Sequence, residues 1–520
     1  MDMRALSVAA ALFGVCSAGL AQQDQVGGKP VDQRVRYDGY QSVRVQIRNM
    51  QDLLAMAQIG DLWSEAEGIG PVDYLVAPDK IDALKATGMS YVVLNKNVQK
   101  LIDMERASLD VNGGWQGPAD SSWFDDYKNL AAVSAYVDTL IALRPDLASR
   151  FSAGTSLQGR DLFGIKITSS GGVADKPAIV FNGCQHAREW ITPMVTMFIA
   201  DELIRNESSD AQIAALLDRV EFYIVPVVNP DGYEYTWTTD RYWRKNRRST
   251  YGVDLNRNWS VGWGGEGSSG NRDSETYRGT AAFSEPESAG LANFMTTLGN
   301  VATSIDFHSY SQLILEPWGY TNQAPPDAPE FKLLGDTMAD EIFSVFGKNY
   351  VAGRTYNTIY PAAGVAGDWS YGDLGAYGLS IELRDTGQFG FELPKSQIRP
   401  NGQEIMPAVL YLAEYFAPDI NLDVTNLTAG QNATLTATDC VPSQSVSFYY
   451  SLTGTNHTFL PTSQTYVDLT NPVLIGSSNA NGSGTATLVR FVPNAARNRT
   501  IRAQAVQIGE NSNVFTGVVR

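Results

Sequence analysis

Between Trp123 and Ala417 the sequence alternates short apolar runs with stretches of helical periodicity. Ala178-Ile179-Val180-Phe181, Phe222 to Val228, Ser304-Ile305-Asp306-Phe307 and Leu379-Ser380-Ile381 have the character of buried strands. Ile191 to Ile204 places Ile191, Met194, Val195, Phe198 and Ile199 on one helical face, and Tyr127 to Leu143 shows the same period. Buried strands separated by helices predict an α/β domain.

The flanks have a different texture. In 33–105, Val43 to Ile47 alternates like a strand, Met50 to Ile59 and Ile81 to Thr87 look helical, and Ser90 to Leu94 is a further strand. The polar stretch Asn112 to Pro118 has the composition of a linker. After Pro418, Lys and Trp disappear while Thr, Asn, Ser and Gly rise. Short alternating runs (Ala433–Thr436, Ser445–Phe448, Thr487–Val489, Ile501–Ala505), separated by turn residues, predict an all-β sandwich-like domain over 420–520. A chain of 520 residues is long enough for about three such units.

The net charge of −17 argues against nucleic acid or an anionic membrane as partner. Residues 1–21 resemble a secretory signal, with Arg4 ahead of an apolar stretch and small residues at Gly19 and Ala21. No later run reaches the ~18 apolar residues that span a bilayer. With the signal removed, Cys184 and Cys440 remain in different expected domains, so no disulfide framework is expected. Export without disulfides suggests a secreted or bacterial envelope protein.

Of the three histidines, two stand directly beyond buried strands: His186 after the run ending at Phe181, and His308 after Phe307. Ligands in open α/β sheets bind beyond the carboxyl ends of strands. Glu189, three residues after His186, can turn toward the same point. Two imidazoles and one carboxylate leave a fourth coordination position open, as catalytic zinc requires. The alternative for each histidine is a satisfied structural residue, and His-x-x-Glu alone is a weak signal. Glu382 ends a further buried strand and can serve as proton carrier or as an ion-pair partner of Arg384. The cationic run Arg241 to Arg247, followed by Asn256-Arg257-Asn258, can clamp a carboxylate or form a solvated loop.

Several segments in one order resemble the M14 metallocarboxypeptidases, and most closely the carboxypeptidase A/B subfamily with its N-terminal propeptide. They are His186-Ala187-Arg188-Glu189-Trp190, Asn229 to Tyr233, Trp243 to Asn246, Asp254 to Trp259, Ser274 to Tyr277, His308-Ser309-Tyr310-Ser311, Thr358-Ile359-Tyr360 and Ile381 to Gly387. The resemblance implies a mixed, mostly parallel twisted sheet flanked by helices over 123–417. It also implies an α+β, ferredoxin-like propeptide over 33–105, covering the active-site cleft. One zinc ion would be held by His186, Glu189 and His308, a ligand set that carboxypeptidase A itself exemplifies. Glu382 would be the general base, and Arg244 would stabilise the oxyanion. Asn256 and Arg257 would grip the substrate's terminal carboxylate, Tyr360 would close over it, and Arg188, Ser309 and Tyr310 would line neighbouring subsites. Gly367 falls at the position that sets side-chain preference. It gives neither the acidic signal of basic-specific members nor a branched aliphatic one, which favours apolar, aromatic or broad specificity. Glu316 keeps a preference for C-terminal Lys or Arg open.

The expected partners are peptides with a free C-terminus and an activating protease, acting on a monomer without a transmembrane anchor. A deacylase or cell-wall amidohydrolase on the same fold would not need Asn256, Arg257 and Tyr360, and an adhesion protein with a vestigial site would not need Glu382. Activation is expected by cleavage in the linker, between about Arg106 and Ser122. Mass spectrometry of the active form checks this, and a fully active enzyme that retains the N-terminal domain refutes it.

Overall fold

The computed structural model describes residues 34–64, 69–109, 121–171, 176–455, 458–463, 465–508 and 510–520. The expected signal segment 1–21, the stretch Asn112 to Pro118, most of the rest of the expected linker, and His457 lie outside these residues. Among the described residues no helix is long and apolar enough to cross a membrane.

The N-terminal region runs β1 (Gln41–Ile47), α1 (Met50–Met56), β2 (Gly60–Leu62), β3 (Gly70–Val76), α2 (Ile81–Ala86), β4 (Tyr91–Asn95) and α3 (Val98–Ser108). Its strands pair antiparallel in the order β2-β3-β1-β4. Side chains alternate across a strand, so Val43, Val45 and Ile47 face Met56 and Leu84 on one side. On the other side Leu75, with Val98 and Ile102 of α3, shares a core with Tyr242, Tyr310 and Phe391.

The central region supplies α4 (Leu130–Leu143), β5 (Ala148–Thr155), β6 (Asp161–Ile167), β7 (Ala178–Gly183), α5 (Ile191–Asn206), α6 (Ala211–Arg219), β8 (Glu221–Val225) and α7 (Pro230–Thr238). It continues with α8 (Pro286–Leu298), β9 (Val301–His308), β10 (Leu313–Glu316), α9 (Ala328–Phe346), β11 (Val351–Arg354), α10 (Thr355–Thr358), α11 (Ala366–Gly372), β12 (Tyr377–Glu382) and α12 (Ile398–Phe416). The strands form one sheet in the order β11-β10-β12-β9-β7-β8-β6-β5. Its middle, β12-β9-β7-β8, is parallel, and the outer pairings β6/β8, β5/β6 and β10/β12 are antiparallel. The larger core lies between the sheet and helices α4, α5, α9 and α12, and a smaller one lies beneath α8 and α11. Helix α12 crosses α5 closely because Gly402 presents no Cβ, which would sit 2.5 Å from the Phe198 ring.

The C-terminal region is all strand: β13 (Asn421–Thr425), β14 (Asn432–Thr438), β15 (Ser445–Ser451), β16 (Thr458–Leu460), β17 (Thr465–Val467), β18 (Val473–Asn479), β19 (Ala486–Phe491), β20 (Thr500–Gln507), β21 (Glu510–Asn511) and β22 (Phe515–Val518). The sheet β13-β14-β19 faces the sheet built on β18-β15-β20. Leu422, Leu435 and Ala437 from one meet Val446, Phe448, Ala503 and Ala505 from the other in a single core, as in a sandwich.

One buried network ties the end of β12 to α12. Arg384 donates through Nε and Nη2 to Glu404 (2.7 Å for the Nε bond), which also accepts from Tyr350 Oη (3.0 Å) and Asn401 Nδ2 (2.9 Å). Both ion-pair partners are buried, so removing one leaves an uncompensated charge. Glu404→Ala should therefore cost about 3–5 kcal/mol. Urea denaturation measures it, and a loss below about 1 kcal/mol contradicts the network's role.

Candidate active site

The parallel register of the central strands sets the site. Glu382 pairs with His308 across β12 and β9, at the carboxyl ends of both strands. Gly183, the last residue of β7, pairs with Phe307, so the chain beyond it brings His186 alongside His308. His186 Nδ1 lies 2.9 Å from Glu189 Oε1, and His308 Nδ1 lies 3.1 Å from Glu189 Oε2. The two Nδ1 atoms are 3.1 Å apart. Among the described residues these three form the one cluster whose donor atoms converge closely enough for a metal ion.

The far side of each ring is occupied. His186 Nε2 faces Asp254 Oδ1 at 3.0 Å, and His308 Nε2 faces Asp306 Oδ2 at 2.6 Å. A carboxylate accepts only, so with a cation between the two Nδ1 atoms each Nε2 would carry the proton and each Nδ1 would present a lone pair. Two lone pairs and a carboxylate then face one another in a buried volume, an arrangement that a cation between them stabilises. With Zn–N distances of about 2.0–2.1 Å, donors on a tetrahedral ion sit roughly 3.3 Å apart, close to the spacing found. The residues present therefore fit a zinc ion.

Asp254 and Asp306 are themselves held. Asp254 Oδ2 accepts from Arg244 Nη2 (3.1 Å), and Asp254 Oδ1 accepts from the Asn256 backbone N–H (3.0 Å). Burial alone would raise the Asp254 carboxyl, but Arg244, His186 and Arg257 outweigh it and hold it well below the usual carboxylate range. Asp306 accepts from Asn182 Nδ2 and Gln185 Nε2, each at 2.5 Å. Neither aspartate was singled out by sequence as a site residue. For Asp306 the available signal was an acid within a buried strand, two residues before a histidine and on the same face of it.

The remaining expected residues gather around one recess. Asn256, Arg257, His308, Tyr360, Gly367 and Glu382 line it together. Arg257 donates to Tyr360 Oη, to Gly267 O (2.8 Å) and to Asn256 O (2.7 Å). The cationic run is no solvated loop: Arg241, Arg244, Lys245 and Asn246 are buried. Below Gly367, Asp368 accepts backbone N–H bonds from Gly319 and Tyr320 (2.9 and 3.0 Å). Its burial pushes its pKa up to about 7 against those bonds. Glu316 also lines the recess, on the face of β10 that carries Ile314, with its carboxyl beside Gly335 of α9.

Arg188, Ser309 and Tyr310 stand apart from the recess. Ser309 is buried behind Glu189, donating its N–H to Oε2 (3.2 Å). Arg188 stacks over Phe391 at 4.3 Å. The N-terminal region seals this side of the site. Tyr310 Oη donates to Asp73 Oδ2 of β3 (3.0 Å), and Trp63 packs edge-on to Tyr242 and Phe391. Arg44 clamps Asp73 from behind (2.6 and 2.8 Å) and donates to Thr386 O (2.7 Å). Trp63 and Asp73 carried no sequence signal of their own.

A buried His-Glu-His centre at the carboxyl ends of a mixed α/β sheet, under a small antiparallel cover, defines a zinc hydrolase with a removable N-terminal region. The zinc carboxypeptidase family model matches residues 133–408, and the carboxypeptidase activation peptide model matches 42–105. Carboxypeptidase A1 of Sus scrofa is 34% identical over 415 residues, covering 78% of this chain and 97% of its own. Carboxypeptidase B of Bos taurus is 34% identical over 399 residues, covering 73% and 94%. The crystal structure of thrombin activatable fibrinolysis inhibitor superposes with a TM-score of 0.67 at 31% identity, over 72% of this chain and 98% of its own. That of carboxypeptidase A from Helicoverpa armigera gives 0.66 at 29%, over 73% and 98%. The chain belongs to the zinc carboxypeptidase family: it is a metallocarboxypeptidase with an activation peptide.

Loss of a carboxylate behind a metal-binding imidazole typically costs 10–100-fold in affinity. Asp254→Asn and Asp306→Asn should each weaken zinc binding by that much, measured by competition with a chromophoric chelator. Unchanged affinity in both variants contradicts the proton placement argued above.

Proposed function

We propose that this chain is the secreted zymogen of an exopeptidase that removes single C-terminal residues, with preference for apolar or aromatic side chains. The observation that carries it is the grouping of the Arg257–Tyr360 pair, Asn256, Glu382 and the His186–Glu189–His308 centre around one recess. Such a recess suits a chain end, since a guanidinium and an amide can grip a terminal carboxylate beside the residues that would hold the metal.

In this reading zinc supplies Lewis-acid polarisation of the scissile carbonyl and lowers the pKa of a water to about 7. Glu382 takes the proton from that water and returns it to the leaving amine. Arg244, fixed by Asp254, points its charge where the oxyanion develops. Asn256 and Arg257 bind the terminal carboxylate, and Tyr360 closes over it. Arg188 and Tyr310 meet upstream residues once the region assigned to 33–105 has gone, and Ser309 backs the metal ligand Glu189.

Specificity follows from what surrounds Gly367. A Cβ added there would make only ordinary contacts, the nearest with Gly378 O and Ser380 Oγ at 3.7 Å. The pocket therefore keeps the volume that a branched side chain would fill. Of the two acids nearest to it, Asp368 is bound to backbone amides, while Glu316 lines the recess with its carboxyl buried beside Gly335 of α9. Burial pushes the Glu316 carboxyl up to about 7, which weakens the counter-charge available to Lys or Arg and favours apolar and aromatic termini.

The activated enzyme should cleave free but not C-terminally amidated peptides and lose activity to a chelator. Equal cleavage of both substrates would sink the exopeptidase reading. Glu382→Gln should lower kcat by at least about 10²–10³-fold, the size expected for removal of a general base. Gly367→Asp should shift kcat/KM toward Lys and Arg termini, and a wild-type preference for those termini contradicts the specificity assigned here.

A further inference from the structure

One buried arginine sits between the activation peptide and the catalytic region, with two glutamates beside it. Arg241 is 1% exposed and stacks over Trp190 at 3.8 Å. It donates to Arg188 O (2.8 Å) and Phe391 O (2.7 Å), holding together the chain that carries Glu189 and the chain that follows β12. Its remaining bonds go to Glu105 of α3, at 2.7 and 3.0 Å. The Glu105 side chain is only 7% exposed, so this ion pair is shielded from water.

Removal of α3 takes that partner away and leaves a buried guanidinium without a counter-charge, which is strongly destabilising. A second carboxyl is already in place. Glu392 follows Phe391, is 5% exposed, and neither of its oxygens has a hydrogen-bond partner of good geometry among the described residues. The groups that act on it are Arg241, Glu105 and the Tyr242 hydroxyl, with the Tyr127 hydroxyl, bound to Leu393 O, beyond.

We propose that Glu392 is the reserve partner of Arg241: it takes the guanidinium over from Glu105 when the activation peptide leaves, and so positions the Arg188–Glu189 segment in the mature enzyme. While Glu105 is present, one guanidinium cannot neutralise both acids in a buried site, and Glu392 is the one left without bonds. Burial, with Glu105 adding to it and Arg241 opposing, pushes Glu392 up to about 8, so it holds its proton at neutral pH. Once Glu105 has gone, Arg241 faces Glu392 alone and its proton leaves.

Departure of the peptide is thus coupled to release of one proton. The complex holds that proton more tightly than the free enzyme does. Peptide binding is therefore strongest at low pH, weakens as pH rises toward about 8, and levels off above it. The limiting slope is about tenfold in dissociation constant per pH unit.

The inference rests on the activation-peptide assignment, which the activity of uncut against cut chain tests separately. A chain with a site-specific protease site placed within 110–120 is cut, and the dissociation constant of its N-terminal fragment is measured between pH 6 and 8. The wild type should weaken at least tenfold over that range. Glu392→Gln should stay flat within about threefold and bind the fragment at least as tightly as the wild type throughout, because glutamine mimics the protonated acid in both states. After release, Glu392→Gln should lower kcat/KM at every pH, with partial recovery in Glu392→Asp. Equal pH dependence in wild type and Glu392→Gln overturns the proposal. So does failure of uncut Glu392→Gln to fold, since the proposal requires a neutral group there.

Discussion

Two buried carboxylates, Asp254 and Asp306, set the chemistry of the centre from behind. Each accepts the Nε2 proton of one imidazole and so aims a lone pair at the other ring. Neither can be moved alone. Asp254 is bound to Arg244 and to the backbone of Asn256, so His186, Arg244 and Asn256 share one anchor. Asp306 lies within β9 and is held by Asn182 at the end of β7 and by Gln185 just beyond it. The strand register of the sheet is thereby converted into ring orientation.

The activation peptide exploits the same surface. Its antiparallel sheet has one face for its own core, while Leu75 and Asp73 on the other meet Phe391 and Tyr310. A two-faced sheet must bury or solvate each face, and this one buries its second face on the enzyme. The contacts are mixed: Trp63 fills an aromatic corner, Arg44 spans Asp73 and the Thr386 carbonyl, and Glu105 reaches Arg241. Departure of the peptide therefore exposes apolar area and separates charges at the same time.

Much of this was legible in the sequence, and the exceptions have physical reasons. The apolar runs became β7, β8, β9 and β12 because strands buried on both faces need apolar residues at every position. The short strands β2, β10 and β11 gave no such signal, being too brief for a period to show. Strand β3 begins with Gly70-Pro71, which interrupts a strand pattern, and α3 buries only an inner stripe that includes Val98 and Ile102. His186, Glu189, His308 and Glu382 were visible through their place at strand ends. The clamp and the subsites came from family resemblance, since contacts such as Arg257 with Tyr360 span 103 positions and leave no local pattern. Glu316, noted from the sequence, lines the recess beside Gly367 with its carboxyl next to α9.

The surface of Tyr310, Phe391 and Arg188 serves two masters. The same side chains that receive Trp63 and Asp73 in the zymogen would meet substrate afterwards in the function proposed above. A substitution that retunes this surface for new upstream residues also changes how firmly the chain silences itself. Drift in substrate range and leakage before activation are thus tied to one patch, and a change in one half of the chain selects for compensation around Trp63 in the other.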